Sequence, residues 1–89
     1  MLELKETIEY MISDDYKKRF IAEYYQLNIR ITKLDSFIRR IEIASFLNEE
    51  VPKHDCPIWI LKSQLSSMIG YRMYLRTRAE IENISLDFI

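Results

Sequence analysis

The stretch that decides the fold is residues 13–47, SDDYKKRFIAEYYQLNIRITKLDSFIRRIEIASFL. It contains neither glycine nor proline, and its apolar residues recur at steps of 4, 3, 4, 3, 4 and 3. This spacing is typical of a helix with one seam packed along a second, nearly parallel helix. Ser13 is the predicted N-cap, because the two acids after it suit a helix start, and the predicted helix spans 14–46. The seam residues are Phe20, Tyr24, Leu27, Ile31, Leu34, Ile38 and Ile41.

The remaining sequence predicts a partner for this helix within one all-α domain, residues 1–89. Pro52 and Pro57 bracket a polar connector, 47–56, and a second long helix is predicted over 57–83. Its seam is interrupted by Arg72 and consists of Leu61, Leu65, Met68, Leu75 and Ala79. A short helix over 1–12 must dock to be stable, and Ile84, Leu86 and Phe88 should pack in the tail, 84–89. We therefore expect a short N-terminal helix followed by a long antiparallel helical hairpin.

A two-helix hairpin is a single layer and leaves an apolar flank uncovered on each helix. Four aromatic residues at outer positions of the first long helix enlarge that flank: Tyr16, Phe20, Tyr24 and Tyr25. Exposed apolar area of this extent usually marks an interface. The sequence thus predicts a homo-oligomeric bundle.

Composition narrows the possible functions. With one cysteine, Cys56, and one histidine, His54, the chain cannot form an intrachain disulfide or a conventional zinc site, and no cofactor is expected. No catalytic constellation is visible, so we expect a protein that is not an enzyme. A net charge of −1 argues against DNA as a partner, and the lack of a long apolar run argues against a membrane span.

Three basic clusters are candidate anion sites, each with a simpler alternative. Residues 16–20, YKKRF, place a ring beside cations, as a base and its phosphate require, but the lysines could simply be solvated. Arg30 and Lys33 share a helix face, where surface ion pairs are the alternative. The third cluster, which could instead form interhelical salt bridges, comprises Arg72, Arg76 and Arg78 with Tyr71 and Tyr74.

The sequence also resembles known phage proteins. YKKRFIAEYYQLNIRITKLDSFI (16–38) and CPIWILKSQLSSMIGYRMYLRTRAEIENISL (56–86) closely resemble short proteins of tailed bacteriophages, including crAss-like phages. More distantly, the hairpin is similar to the phage anti-CBASS and anti-Thoeris sponges, which sequester nucleotide messengers of bacterial immunity without cleaving them. The resemblance is carried by Tyr16, Lys17, Glu23, Asn28, Pro57, Trp59, Gly70, Tyr71 and Arg76.

The resemblance implies a function and a set of ligand-binding residues. It implies immune evasion in the cytoplasm of an infected bacterium, through a homo-oligomer such as the anti-CBASS hexamer, with a cyclic oligonucleotide or ADP-ribose-derived messenger as ligand. A contact lysine of the sponges falls at Ile31 here, beside Arg30 and Lys33. The expected ligand-binding residues are Tyr16, Lys17, Arg30, Lys33, Tyr71 and Arg76. The alternative is an oligomeric helical adaptor that inhibits a host protein through its apolar flank.

Overall fold

The computed structural model describes residues 4–86, and all regular secondary structure in that range is helical. A 3₁₀ turn, Leu4–Thr7, leads directly into a one-turn helix α1, Ile8–Met11. Two long helices follow, α2 over Tyr16–Phe46 and α3 over Ile58–Ile81. The prediction of an all-α fold is confirmed. Residues 1–3 of the predicted first helix and Phe88 of the predicted tail lie outside the described residues.

The start of α2 differs in detail from the sequence prediction, because the capping residue is Asp15 and not Ser13. The Asp15 carboxylate accepts a hydrogen bond of 2.9 Å from the Lys17 amide. The Ser13 hydroxyl instead accepts one of 3.1 Å from the Asp15 amide. Either residue can supply the oxygen that an unpaired first-turn amide needs, and here the acid is the one placed at the cap.

Both long helices end at an asparagine in the left-handed region, Asn48 with φ 56° and Asn83 with φ 55°. Asparagine tolerates this conformation better than most residues. In each case the amide two residues beyond the helix cap bonds back over the last turn: Glu49 to the Ala44 carbonyl at 2.9 Å, and Ile84 to the Ala79 carbonyl at 2.8 Å. This closure, known as a Schellman motif, satisfies the terminal carbonyls and turns the chain sharply. After α3 it directs Ile84 into the core, where its side chain is 6% exposed.

The long helices lie side by side and antiparallel. Contacts that cross from one to the other join Glu42 to Lys62 near the connector and Asn28 to Arg72 further along. The 4–3 seam of α2 faces α3 along this contact, with Phe20, Ile31 and Ile38 each no more than 5% exposed. Because 31 residues of helix span roughly 46 Å at 1.5 Å per residue, α2 sets the long dimension of the molecule, which is 49 Å.

The main core lies toward the N-terminal end of α2, where the short N-terminal segment, α3 and the tail all meet it. Its buried members are Phe20, Ile21, Tyr24, Tyr25, Leu75, Ala79 and Ile84. The expectation of outward-facing aromatics is therefore wrong for Phe20, Tyr24 and Tyr25, which are 4%, 6% and 5% exposed. The N-terminal segment covers the back of α2, and the Thr7 hydroxyl accepts a 2.9 Å hydrogen bond from Gln26 there. Only Tyr16 remains half exposed, at 48%.

Among the described residues, no helix is long and apolar enough to cross a membrane.

Candidate functional site

Two arginines of α3 meet two polar residues of α2 in a short ladder. The Arg76 Nε donates to the Tyr24 hydroxyl at 3.0 Å, and the Arg72 Nη1 donates to the Asn28 side-chain oxygen at 2.9 Å. Residues four apart on a helix share one face, and the helices are antiparallel, so the two pairs form adjacent rungs. The Arg76 guanidinium also lies 5.9 Å from the centre of the Tyr24 ring. Each arginine is thus held by one neutral partner from the facing helix.

The ladder borders a cavity of about 400 Å³, which we call the arginine cleft. The residues lining it are Asn28, Ile29, Thr32, Lys33, Arg72 and Arg76. Three of these are cations and none is a carboxylate. The ion pairs found in the described part of the chain involve Arg39, Lys62 and Arg78, and not the cations of the cleft. The arginine cleft therefore presents positive charge that no ion pair within residues 4–86 neutralises.

A second cavity, of about 440 Å³, shares Arg76 with the arginine cleft and is also lined by Tyr24. Ala79, Ile84 and Leu86 give it apolar walls, and Glu80 adds a carboxylate. The sharp turn at Asn83 and the 2.5 Å hydrogen bond from the Tyr25 hydroxyl to the Leu86 carbonyl hold residues 84–86 in place as one wall.

The chemistry of Tyr24 reflects the positive charge beside it. Burial raises the pKa of its phenol, but hydrogen bonds with Arg76 and Asn28 and the charges of Arg76 and Arg72 lower it further than burial raises it. The net pKa lies below the ordinary value of 10.0. A site that favours a phenolate in this way also favours a bound anion, for the same electrostatic reason.

We expect Tyr24 and Tyr71 to titrate on opposite sides of the ordinary tyrosine range. The hydrogen bond from the Tyr71 hydroxyl to Glu23 is the main cause that raises the Tyr71 pKa, with burial adding to it. In a titration followed by tyrosinate absorbance, Tyr24→Phe should remove an early component and Tyr71→Phe a late one. Identical difference curves for the two variants would contradict the ladder geometry.

These shifts have opposite effects on stability. A lowered folded-state pKa means that the unfolded chain binds more protons, so Tyr24 contributes stability that appears above the unfolded pKa of about 10 and is lost as the pH falls through the folded pKa. Tyr71 has a raised pKa, so its contribution is present below about 10 and is lost as the pH rises through the folded pKa. In the wild-type protein, the effects of Tyr24 and Tyr71 on the pH dependence of stability have opposite signs. The single variants Tyr24→Phe and Tyr71→Phe are needed to separate them.

The structure distributes the six residues expected to bind a ligand over three places. Arg76 and Lys33 both line the arginine cleft. Arg30 and Tyr71 line a shallower depression of about 200 Å³ together with Glu23. Tyr16 and Lys17 lie near Glu82: the hydrogen bond from Arg78 is the largest cause that lowers the pKa of that carboxyl, and Tyr16 and Lys17 contribute to the same effect.

The depression at Arg30 and Tyr71 and the region of Tyr16 and Lys17 each already contain a glutamate. Glu23 accepts the hydrogen bond of Tyr71, and Glu82 accepts one of 2.8 Å from Arg78. An incoming phosphate would have to compete with a carboxylate at either one. Of these three places, the arginine cleft is the one whose lining contains no carboxylate.

Two further residues of the site, Tyr24 and Asn28, were missed as site residues by the sequence reasoning. A signal for them does exist, because Arg72 occupies a seam position of α3 where an apolar residue belongs. A charged side chain at such a position needs a polar partner on the facing helix. Asn28 is the polar residue next to the α2 seam that meets this need.

Nothing in the described range points to a metal centre, since no group of three or more histidine, cysteine or acidic side chains could hold an ion there. His54 Nδ1 lies 2.7 Å from the Cys56 carbonyl oxygen, a contact that shapes the connector.

Comparisons with known proteins give one match. The sequence model of the family described as Sequestin matches residues 14–81, which contain both long helices and the whole arginine cleft. Curated proteins and solved structures show no significant match to the chain.

Proposed function

We propose that this chain, which belongs to the Sequestin family, binds a phosphate-bearing nucleotide messenger and withholds it from its receptor without cleaving it. The family name denotes sequestration, and the arginine cleft supplies the chemistry for an anionic ligand. The observation that carries the proposal is a cleft with three cations and no carboxylate, in a chain whose net charge is −1. Positive charge concentrated in this way on a nearly neutral protein favours a small anion over a long polyanion such as DNA.

The geometry suggests a role for each part of the site. Arg72 and Arg76 would hold phosphate oxygens, because a guanidinium offers several donors in a fork that fits them. Lys33 would add a third charge at the same cleft. The base would lie in the neighbouring cavity against Ile84 and Leu86, with Glu80 available to accept a hydrogen bond from an exocyclic amine.

The other expected contacts require a second copy of the chain. Tyr16, Lys17, Arg30 and Tyr71 lie outside the arginine cleft of their own chain. In a homo-oligomer they could approach the cleft of a neighbouring subunit. We include self-association in the proposal for this reason, with a hexamer as the assembly implied by the resemblance to anti-CBASS sponges.

A sequestering protein needs affinity and abundance, and it needs no catalytic group. Each bound messenger removes one signal from circulation, so a small chain made in quantity suffices. We place this activity in the cytoplasm of a phage-infected bacterium, where the protein would blunt immune signalling of the CBASS or Thoeris type.

The rival function is an adaptor that binds and inhibits a host protein. It is favoured by one specific observation, the exposure of Trp59, Met73, Tyr74 and Ile81 on α3, at 66%, 63%, 71% and 75%. The two functions differ in what loss of the cleft cations should do. An adaptor would tolerate that loss, whereas a nucleotide-binding protein would not.

The test is a thermal-shift series with cyclic dinucleotides, cyclic trinucleotides and ADP-ribose-type messengers, with inorganic phosphate as the control for a simple anion. A ligand at one hundred times its Kd should add about 2.7 kcal/mol to the free energy of unfolding, which raises the Tm of a domain this size by roughly 10 °C or more. Heating the complex and analysing the supernatant by chromatography should then recover the ligand intact.

Three outcomes are informative. Stabilisation by one messenger with intact recovery supports the proposal, and recovery of a cleaved product would show an enzyme instead. A well-folded protein that no messenger stabilises would leave the adaptor as the better explanation.

A further inference from the structure

The outer face of α3 carries a second regular row of residues. The residues of this row are spaced 4, 3, 4, 3, 4 and 4 apart, which places them on one side of the helix. They are Trp59, Ser63, Ser66, Gly70, Met73, Thr77 and Ile81. This side is opposite to Leu75 and Ala79, which are buried against α2. Its ends are large and exposed, with Trp59 at 66% and Ile81 at 75%. A row with this spacing is the pattern expected of a helix that packs along a second helix.

The two halves of the row differ in size in a complementary way. Inside its large ends, the N-terminal half of the row contains Ser63 and Ser66, and the C-terminal half contains Met73 and Thr77. Tyr74 lies beside the row next to Met73, and these two side chains are 71% and 63% exposed. Gly70 stands midway, eleven residues from Trp59 and eleven from Ile81. A Cβ atom added at Gly70 would meet nothing within 4 Å inside the chain, so the packing of a single chain does not require glycine there.

We infer that this face binds a second copy of the same chain, with the two α3 helices antiparallel and a two-fold axis at Gly70. In that register residue 70 faces its own copy, Ser63 faces Thr77 of the other chain, and Trp59 faces Ile81. Met73 and Tyr74 then lie over the small residues near Ser66 of the other chain. Met73 and Tyr74 of each chain thus contact small side chains of the other chain, and Trp59 contacts Ile81 at the far end of the other helix. The two backbones approach closely at Gly70, where neither chain has a side chain.

A parallel pairing fits the same face poorly. It would stack Trp59 on Trp59 and Met73 on Met73, and these contacts would hold the helices apart at Gly70. The charges also favour the antiparallel register, since Lys62 and Glu80 lie on the same edge of the row. Lys62 pairs with Glu42 of its own chain, but 53% of its side chain remains exposed and can contact a second carboxylate. The two-fold axis is perpendicular to both helices, so it places this edge of one α3 helix beside the same edge of the other. Because the helices run in opposite directions, Lys62 of one chain then lies near Glu80 of the other.

This interface gives the proposed self-association a specific surface, and it does not depend on any ligand. The arginine cleft lies outside the row, so variants of Gly70 leave its lining residues in place. The two failures remain distinguishable: if the proposed function fails, the protein still dimerises but no messenger stabilises it, whereas if this interface fails, the protein sediments as a monomer with or without a messenger.

The first test compares the mass of the protein in solution with that of two leucine variants, by sedimentation over a concentration series. Gly70→Leu should weaken dimer formation at least tenfold while circular dichroism retains the wild-type helix content. Ser36→Leu, an equal substitution at an exposed position of α2, should leave association unchanged. A monomeric wild-type protein at all concentrations, or a Gly70→Leu variant that associates as the wild type does, would overturn the inference.

The second test fixes the register by disulfide crosslinking under a mild oxidant in a Cys56→Ser background. Gly70→Cys should crosslink to its own copy. Ser63→Cys should not, because the two copies of position 63 are separated by 14 residues along the helix, roughly 21 Å, whereas a disulfide needs Cα atoms within about 7 Å. The double variant Ser63→Cys with Thr77→Cys should crosslink again. Self-crosslinking of Ser63→Cys alone would show a parallel pair and contradict the register.

Discussion

Replacing Leu75 by alanine is expected to lower the free energy of unfolding by about 3 kcal/mol, the typical cost of a fully buried leucine. Leu75 is 1% exposed, and it lies in the cluster where α3 meets Phe20 and Tyr24 of α2. The buried residues of α3 are Leu75 and Ala79, so Leu75 is the large side chain of α3 that contributes most to the core. A domain of this length has only about 5–13 kcal/mol of stability, and the loss should be a large part of it.

Urea unfolding followed by circular dichroism at one fixed protein concentration measures this effect. Ile43→Ala is the matched control, because Ile43 is also on a long helix but is 58% exposed, and its loss should change stability by no more than about 0.5 kcal/mol. The concentration must be fixed because self-association adds to apparent stability. Equal effects of the two substitutions would mean that α3 is not anchored at Leu75.

The sequence was sufficient to predict the helical class because several independent signals agree along α2. The 4–3 seam, the absence of glycine and proline, and the acids at the start all favour one long helix. The seam also predicted which side of α2 is covered, and Ile31 and Ile38 are indeed buried there. Periodicity carries this information because it depends only on the geometry of a single helix.

What the sequence could not show is how many neighbours α2 has. The outer-facing positions of Phe20, Tyr24 and Tyr25 were inferred for a two-helix layer. Phe20 and Tyr24 also belong to the seam and pack in one cluster with Leu75 and Ala79 of α3, whereas Tyr25 lies off the seam and contacts residue Leu86. Burial there depends on contacts between residues far apart in the chain, such as that of Tyr25 with Leu86. The spacing of apolar residues within one helix does not predict contacts with residues that are far away in the sequence.

The candidate site was predictable for its chemistry and less so for its geometry. The basic and aromatic composition pointed to an anion, and Arg76 and Lys33 do share a cleft. The sequence could not separate these from Arg30 and Tyr71, because cations one turn apart can point to different sides of a helix pair. It also could not show that Tyr71 and Arg78 are bonded to acids while Arg76 is bonded to a neutral phenol.

Replacing Arg76 by glutamate is expected to weaken nucleotide binding by about 100-fold or more, equivalent to at least 2.7 kcal/mol. The wild-type arginine lies where the two cavities join, so it can contact a ligand that occupies both. The substitution removes a charge-assisted hydrogen bond to phosphate and adds a repelling carboxylate. Arg76→Lys should lose roughly tenfold, because an ammonium keeps the charge but lacks the fork.

Calorimetric titration of the messenger found in the thermal-shift series gives the Kd of each variant. Lys53→Glu is the matched control: it changes the net charge by the same two units, but Lys53 lies on the exposed connector outside the arginine cleft. Its Kd should stay within about twofold of the wild type at physiological salt, since a distant exposed charge is largely screened. Tyr24→Phe should cost less than Arg76→Glu, because it removes only the hydroxyl that positions the guanidinium. If Lys53→Glu weakens binding as much as Arg76→Glu does, the ligand responds to overall charge, and the arginine cleft is not its site.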